Sequence, residues 1–166
     1  MIALGLCLFI FGTANAQKFP LHLEVSTGIG TQNHQVIPFN ATIDLNYPVV
    51  DRWSLHAATE SNWMLPKEGV TKDFNSSINV GGGISYSLFP TEVYNKGAFE
   101  TRVMVTETVD NSVYKHTSYN VGLYWYGKHD SPRPAPLIGV GFCDREYHSN
   151  HRSSYRGAFL TFGIRM

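Results

Sequence analysis

Apolar and polar residues alternate along almost the whole chain beyond residue 18, and a period of two marks strands that carry one apolar face. In the first segment Phe19, Leu21, Leu23, Val25 and Ile29 hold one parity, while His22, Glu24, Ser26, Gly28 and Gly30 hold the other. Phe39, Ala41, Ile43, Leu45 and Tyr47 then oppose Asn40, Thr42, Asp44 and Asn46, and Trp53, Leu55, Ala57 and Trp63 oppose Ser54, His56, Glu60 and Asn62. A fourth segment sets Ile78, Val80, Ile84, Tyr86 and Leu88 against Asn79, Gly81, Gly83, Ser85 and Ser87. In the fifth, Phe99, Val103 and Val105 alternate with Glu100, Arg102 and Thr106, with Met104 on the polar parity. Tyr119, Val121, Leu123 and Trp125 face away from Ser118, Asn120 and Gly122. Ile138, Val140 and Phe142 alternate with Gly139, Gly141 and Cys143, where Pro134 and Pro136 predict a bulge or a short strand. The eighth segment alternates Ala158, Leu160, Phe162, Ile164 and Met166 with Gly157, Phe159, Thr161, Gly163 and Arg165.

The connections differ in character on the two sides of this pattern. Tyr47 to Arg52 reads as a tight turn through Pro48, and 89–98 and 127–136 as longer links on the same side. The polar stretches 31–38, 65–75, 107–115 and 144–155 read as loops on the opposite side. Eight strands joined up and down predict an antiparallel barrel, closed so that no edge is left unpaired. The chain has 166 residues and neither a linker nor a longer repeat, so one domain is expected.

Alternation alone does not say which face turns inward. Segments of about 9 to 13 residues suit tilted strands that cross a membrane. Gly28, Gly81, Gly83, Gly122, Gly139, Gly141, Gly157 and Gly163 all fall on the polar parity. An eight-stranded lumen is barely wide enough for side chains, so small residues relieve crowding there, whereas on a wetted surface they would only weaken the strands. Phe39, Trp53, Trp63, Phe89, Phe99 and Trp125 lie near segment ends, as interfacial aromatics do. Charged residues make up 16% of the chain, below the roughly 25% of soluble domains. The polar face is therefore expected inside and the apolar face against lipid.

Residues 1–16 read as a cleaved signal peptide, leaving a barrel domain over 17–166. Ile2 to Phe11 is an uncharged apolar run, and Ala14-Asn15-Ala16 has the small-x-small form of a cleavage site. No Lys or Arg precedes the run, which points to a start codon placed too far downstream. Cys143 would be the one cysteine left after processing, so no internal disulfide is expected.

The last strand, Gly157-Ala158-Phe159-Leu160-Thr161-Phe162-Gly163-Ile164-Arg165-Met166, places Leu160, Phe162, Ile164 and Met166 on one face. It resembles the terminal sorting strand of bacterial outer-membrane β-barrels, with Met166 where that family usually carries an aromatic residue. The chain as a whole is similar in pattern to the small barrels of the outer-membrane protein A type and other porin-like outer-membrane proteins. The resemblance implies an eight-stranded transmembrane barrel in the outer membrane, in contact with its lipid and inserted by the barrel insertion machinery. Its role would be structural or in surface interaction, with an extracellular loop partner possible.

Thirteen Lys plus Arg balance thirteen Asp plus Glu, so the excess positive charge that draws nucleic acid is missing. His22, Glu24, Asp44, His56, Glu60, Glu100, Arg102 and Arg165 all fall on the lumen parity, where buried charges must pair. They predict an ion-pair network that plugs the lumen. His148, Ser149, Asn150 and His151, with Asp144 and Glu146 upstream, form the densest cluster of reactive side chains. His148-Ser149-Asn150 resembles, with one residue missing, the His-x-Ser-Asn motif around which small eight-stranded outer-membrane lipid A deacylases arrange a Ser-His-Glu set. The intervening residue is lacking and no Glu follows 146, so no catalytic set is expected; His148 and His151 are loosely spaced on an expected loop, so no metal site is expected, and no cofactor is expected either. A lipid-modifying enzyme and a soluble periplasmic ligand-binding barrel are the alternatives.

Overall fold

The computed structural model describes residues 21–33, 36–50, 52–66, 75–89, 97–112, 114–127, 134–148 and 154–166. The expected signal peptide, residues 1–16, lies outside them. Eight strands form: β1 (His22–Gly30), β2 (Val36–Val50), β3 (Trp53–Pro66), β4 (Asn75–Ser87), β5 (Ala98–Thr108), β6 (His116–Tyr126), β7 (Ala135–Tyr147) and β8 (Tyr155–Arg165). Each pairs antiparallel with its neighbours in sequence, and β8 returns to β1, so the sheet is a closed barrel. Beyond the last strand pair, Leu23 and Met166 exchange both backbone hydrogen bonds, at 3.1 and 2.8 Å.

The two faces are as the alternation predicts. Ile43, Leu123 and Phe162 are exposed on the outside, whereas Glu24 and Asp44 are buried inside. Sequence reasoning missed three inward residues, Tyr124, Tyr126 and Leu137, which form a small apolar cluster with Phe159 in the lumen.

Two boundary expectations are corrected. β7 runs unbroken over 13 residues, and its registers with β6 and β8 show no shift, so Pro136 causes neither a bulge nor a short strand. Pro136 lies at the end of the ladder, where its carbonyl accepts the Gly127 N–H at 2.8 Å and a missing amide costs little. A shift occurs instead between Pro48 and Val50, because β2 continues into the segment read as a turn. The ladders also claim 36–38, 65–66, 107–108 and 144–147, all expected in loops. In 107–108 and 144–147 Glu107 and Glu146 are exposed on the outer face while Thr108 and Arg145 are buried in the lumen, so polar residues continue the strand alternation there.

The registers fix the shape. Register partners lead once around the barrel from His22 through Asn46, His56, Gly83, Met104, Asn120, Cys143 and Gly157. Gly30 opposes Phe159, so Gly157 falls level with Gln32, ten residues beyond His22. A shear of ten over eight strands tilts them by about 40° and gives each residue a rise of about 2.5 Å along the barrel axis. The β1–β2, β3–β4, β5–β6 and β7–β8 connections share one end, here the loop end, and β1 begins and β8 ends at the other, the terminus end.

Close backbone approach explains the most crowded lumen glycine. A Cβ on Gly81 would stand 2.0 Å from the Val105 carbonyl oxygen and 2.6 Å from Thr106 Cα. Gly81→Val should therefore destabilise the barrel by about 1–3 kcal/mol. Urea unfolding followed by tryptophan fluorescence checks this, and an unchanged midpoint would contradict the packing.

Candidate functional site

Two layers of charge cross the lumen. In the layer nearer the terminus end, Arg102 donates to Asp44 at 2.8 Å, to Glu24 at 3.0 Å, to Glu100 at 3.4 Å and to the Tyr126 hydroxyl. Its guanidinium lies 4.3 Å from the centre of the Tyr124 ring. Arg165 reaches Glu24 at 2.7 Å and Glu100 at 3.3 Å, over the face of Tyr126. His56 meets Asp44 through Nδ1 at 2.8 Å and Glu100 through Nε2 at 3.2 Å. Three carboxylates thus face two guanidiniums, and the bridging His56 ring supplies a third positive charge when both its nitrogens carry hydrogen.

Ser85, His56 and Asp44 also stand in the order of a hydrolase triad, with Ser85 Oγ 2.8 Å from His56 Nε2. Geometry alone does not make a site of them. The His56 side chain has no exposed surface, and its Nε2 also faces the Glu100 carboxylate, so that nitrogen is not free to take the serine proton. These residues are part of the terminus-end charge layer.

The second layer lies toward the loop end. Glu60 accepts hydrogen bonds from Asn40 and from Thr106, the latter at 3.3 Å. Arg145 donates to Asn62 at 2.9 Å and stays 3.7 Å from Glu60. Asn79, Thr108 and His116 join in a second group, with Asn79 Nδ2 3.1 Å from His116 Nε2. A cavity of about 60 Å³ runs between the layers, lined by Thr42, Ala58, Met104, Asn120 and Thr161 among others.

Of the eight lumen residues named from the sequence, Glu24, Asp44, His56, Glu100, Arg102 and Arg165 meet in the terminus-end layer and Glu60 in the other. His22 starts β1 at the terminus end, half-buried. Asn62, Arg145, Tyr124 and Tyr126 were not anticipated as members. Arg145 sits on the polar parity once β7 is known to continue past 143, so the misplaced loop boundary hid it.

Outside, an apolar belt surrounds the barrel. Trp53 and Trp63 are ten residues apart on β3, a rise of about 25 Å at this tilt. After correction for tilt, Tyr47, Trp53, Tyr86, Phe99 and Trp125 share one height to within about 5 Å, and Phe39, Trp63 and Tyr119 share another to within about 6 Å. Trp53 packs on Tyr86, and Phe39 on Trp63, with ring centres 5.0 and 5.6 Å apart. Between the two rings of aromatics the surface carries Val25, Ile43, Val103, Val121, Val140 and Phe162, all exposed. Leu160, Ile164 and Met166 of the terminal strand are exposed on the same face.

Above the belt at the loop end the outer face turns polar on β5 to β8. Arg156 pairs with Asp144 at 2.8 Å, and Glu146 is exposed beside them. Thr117 bonds Glu107 and lies 3.0 Å from His148 Nε2, while His148 Nδ1 is 3.5 Å from Glu107. Of the histidine–serine cluster only His148 falls among the described residues. The described residues hold no group of three or more side chains placed to ligate a metal ion.

No family model matches the chain, and no curated protein matches it. Among solved structures it is similar to one described as "De novo design of transmembrane beta-barrels". The two are 15% identical over 92% of this chain and 100% of that one, with a TM-score of 0.48.

Proposed function

We propose that this chain is a bacterial outer-membrane β-barrel whose lumen is sealed by its two charged layers and which acts through its outer surface, in a structural or surface-interaction role. One observation carries the reading: exposed apolar residues on all eight strands form a continuous belt, about 15 to 25 Å tall on the strands that carry an aromatic at each end, which resembles the lipid-facing band of such barrels. A water-soluble ligand-binding barrel would turn that face inward. Leu160, Phe162, Ile164 and Met166 would present the terminal strand to the insertion machinery, and the four loop-end connections are available to an extracellular partner.

Gel migration with and without boiling in detergent tests the placement. The unboiled protein is expected to run as a compact species that shifts on heating, and to partition with membranes. Recovery in the soluble fraction without such a shift would defeat the proposal. Reconstituted in a planar bilayer, the sealed barrel should show no unitary conductance steps, since each charge layer closes the lumen.

A second reading, lipid-ester hydrolysis at the loop-end rim, is favoured by the meeting of a hydroxyl, an imidazole and a carboxylate in Thr117, His148 and Glu107. The acid that sequence reasoning sought downstream would come from β5 instead. Fatty-acid release from lipopolysaccharide, lost in His148→Ala, would establish it over the non-enzymatic role.

A further inference from the structure

The apolar belt is taller on one side of the barrel than on the other. On β3 the aromatics at its two ends, Trp53 and Trp63, are ten residues apart, but on β6 Trp125 and Tyr119 are six apart, a rise of about 15 Å against about 25 Å. The terminus-end aromatics share one level, so the difference arises at the loop end. On β2, β3 and β4 the outward side is uncharged up to Ile37, Trp63 and Ile78. On β5, β6 and β7 the apolar side ends at Val105, Tyr119 and Phe142, and the next outward residues are Glu107, Thr117 and Asp144. With the registers and the shear of ten, this second apolar edge lies on average about 7 Å below the first. Val109, past Glu107, pairs with Ile78 through its amide at 2.9 Å and so prolongs the apolar end of β4.

Glu107 and Asp144 thus stand about 3 Å below the level of Trp63, a depth at which β3 still presents an aromatic ring. Their neighbours do not enclose them. The Arg156 side chain that pairs with Asp144 is 75% exposed, and the Glu107 side chain beside His148 is 49% exposed. Hydrocarbon cannot hydrate these groups, so the polar part of the leaflet has to reach them. Leaning the whole barrel does not achieve this, because a lean that lifts Glu107 and Asp144 lifts Phe99 and Trp125 off the opposite interface by a similar amount. A belt that is itself shorter is met by a thinner bilayer.

We propose that the outer face of β5–β7 at the loop end is a docking surface for phospholipid headgroups, which descend against Glu107, Thr117 and Asp144 and thin the bilayer on that side of the barrel. The inference rests on the membrane placement proposed above. Both signs of charge are present on this face, in Glu107, Asp144 and Glu146 and in Arg156 of the adjoining β8, which suits a headgroup that carries a phosphate and an ammonium.

Val80 on β4 and Phe142 on β7 are both exposed and lie at one height to within about 1 Å, so they compare the depth of the bilayer on the two sides. In the full chain carrying Cys7→Ser and Cys143→Ser, a nitroxide is attached at Val80→Cys or at Phe142→Cys, and the protein is reconstituted in dioleoylphosphatidylcholine vesicles. The accessibility of each label to oxygen and to a water-soluble nickel chelate gives its depth. The label at 142 should lie nearer the headgroups than the label at 80, by up to about 7 Å, the difference in belt height. Combining Glu107→Leu, Asp144→Leu and Arg156→Leu should bring the two labels to one depth. If that variant does not fold, labels at Ala41→Cys and Val105→Cys, a second level pair, decide the matter, with 105 expected the shallower. Equal depths within either pair, in protein that shows the boiling shift, would overturn the docking surface and leave the barrel in the membrane. A depth difference that survives in the leucine variant would overturn it as well. Water-like accessibility at both labels without a boiling shift would instead remove the membrane placement, and this surface with it.

Discussion

Replacing Arg102 with methionine is expected to lower the unfolding free energy by about 3–5 kcal/mol, the cost of removing one partner from a buried charged group. Arg102 touches Glu24, Asp44 and Glu100 together, and all four side chains are buried. Without it Arg165 still holds Glu24 and Glu100, but Asp44 keeps only His56, and the repulsion among three enclosed carboxylates goes largely uncompensated. Methionine roughly preserves the length of the side chain, so the loss reports charge rather than a cavity. Urea unfolding in detergent micelles, followed through tryptophan fluorescence, would measure it. Adding Asp44→Asn and Glu24→Gln to the same chain should recover part of the loss, because a neutral layer no longer has charges to satisfy. A single variant as stable as the parent would mean that the layer is wet and open, and the sealed-lumen reading would fall with it.

The strand count, the closure and the facing of nearly every side chain were legible in the sequence, and the reason is specific to β-structure. A period of two assigns each residue to a face as soon as the strand is recognised, so Glu24, Asp44 and Arg102 could be placed inside without any knowledge of their partners. Depth was not legible. Which residues meet across the lumen depends on the shear, and Arg102 and Glu24, separated by 78 positions, come together only because ten residues of stagger bring their levels into register. The inward tyrosines were hidden for a different reason. Tyr124 and Tyr126 look apolar in an alternation, yet their rings lie against arginines and the Tyr126 hydroxyl bonds Arg102. The strand ends misled the reading as well, since Arg145 and Glu107 were assigned to loops that the ladders in fact extend into. The charge layer at the loop end and the polar rim were for that reason the least visible parts of the candidate site.

Phe162→Arg is expected to cost about 2–4 kcal/mol and to reduce the heat-shifting species in the membrane fraction, as a charge at the midplane of the lipid-facing band does. Phe162 is 51% exposed on β8, and after tilt correction it lies close to half-way between the two rings of aromatics. Surface exposure on its own would make the substitution harmless, because an arginine on a wetted face keeps its hydration. Val49 supplies the comparison: it is equally exposed at 52%, also apolar, and sits at or below the terminus-end aromatics. Val49→Arg should therefore cost only about 0–1 kcal/mol, the value for an interfacial position. The contrast between two equally exposed positions separates hydrocarbon from water as the medium around the belt. Equal, small effects at both would place the belt in water and leave the exposed ring of Val, Ile, Leu and Phe without a partner.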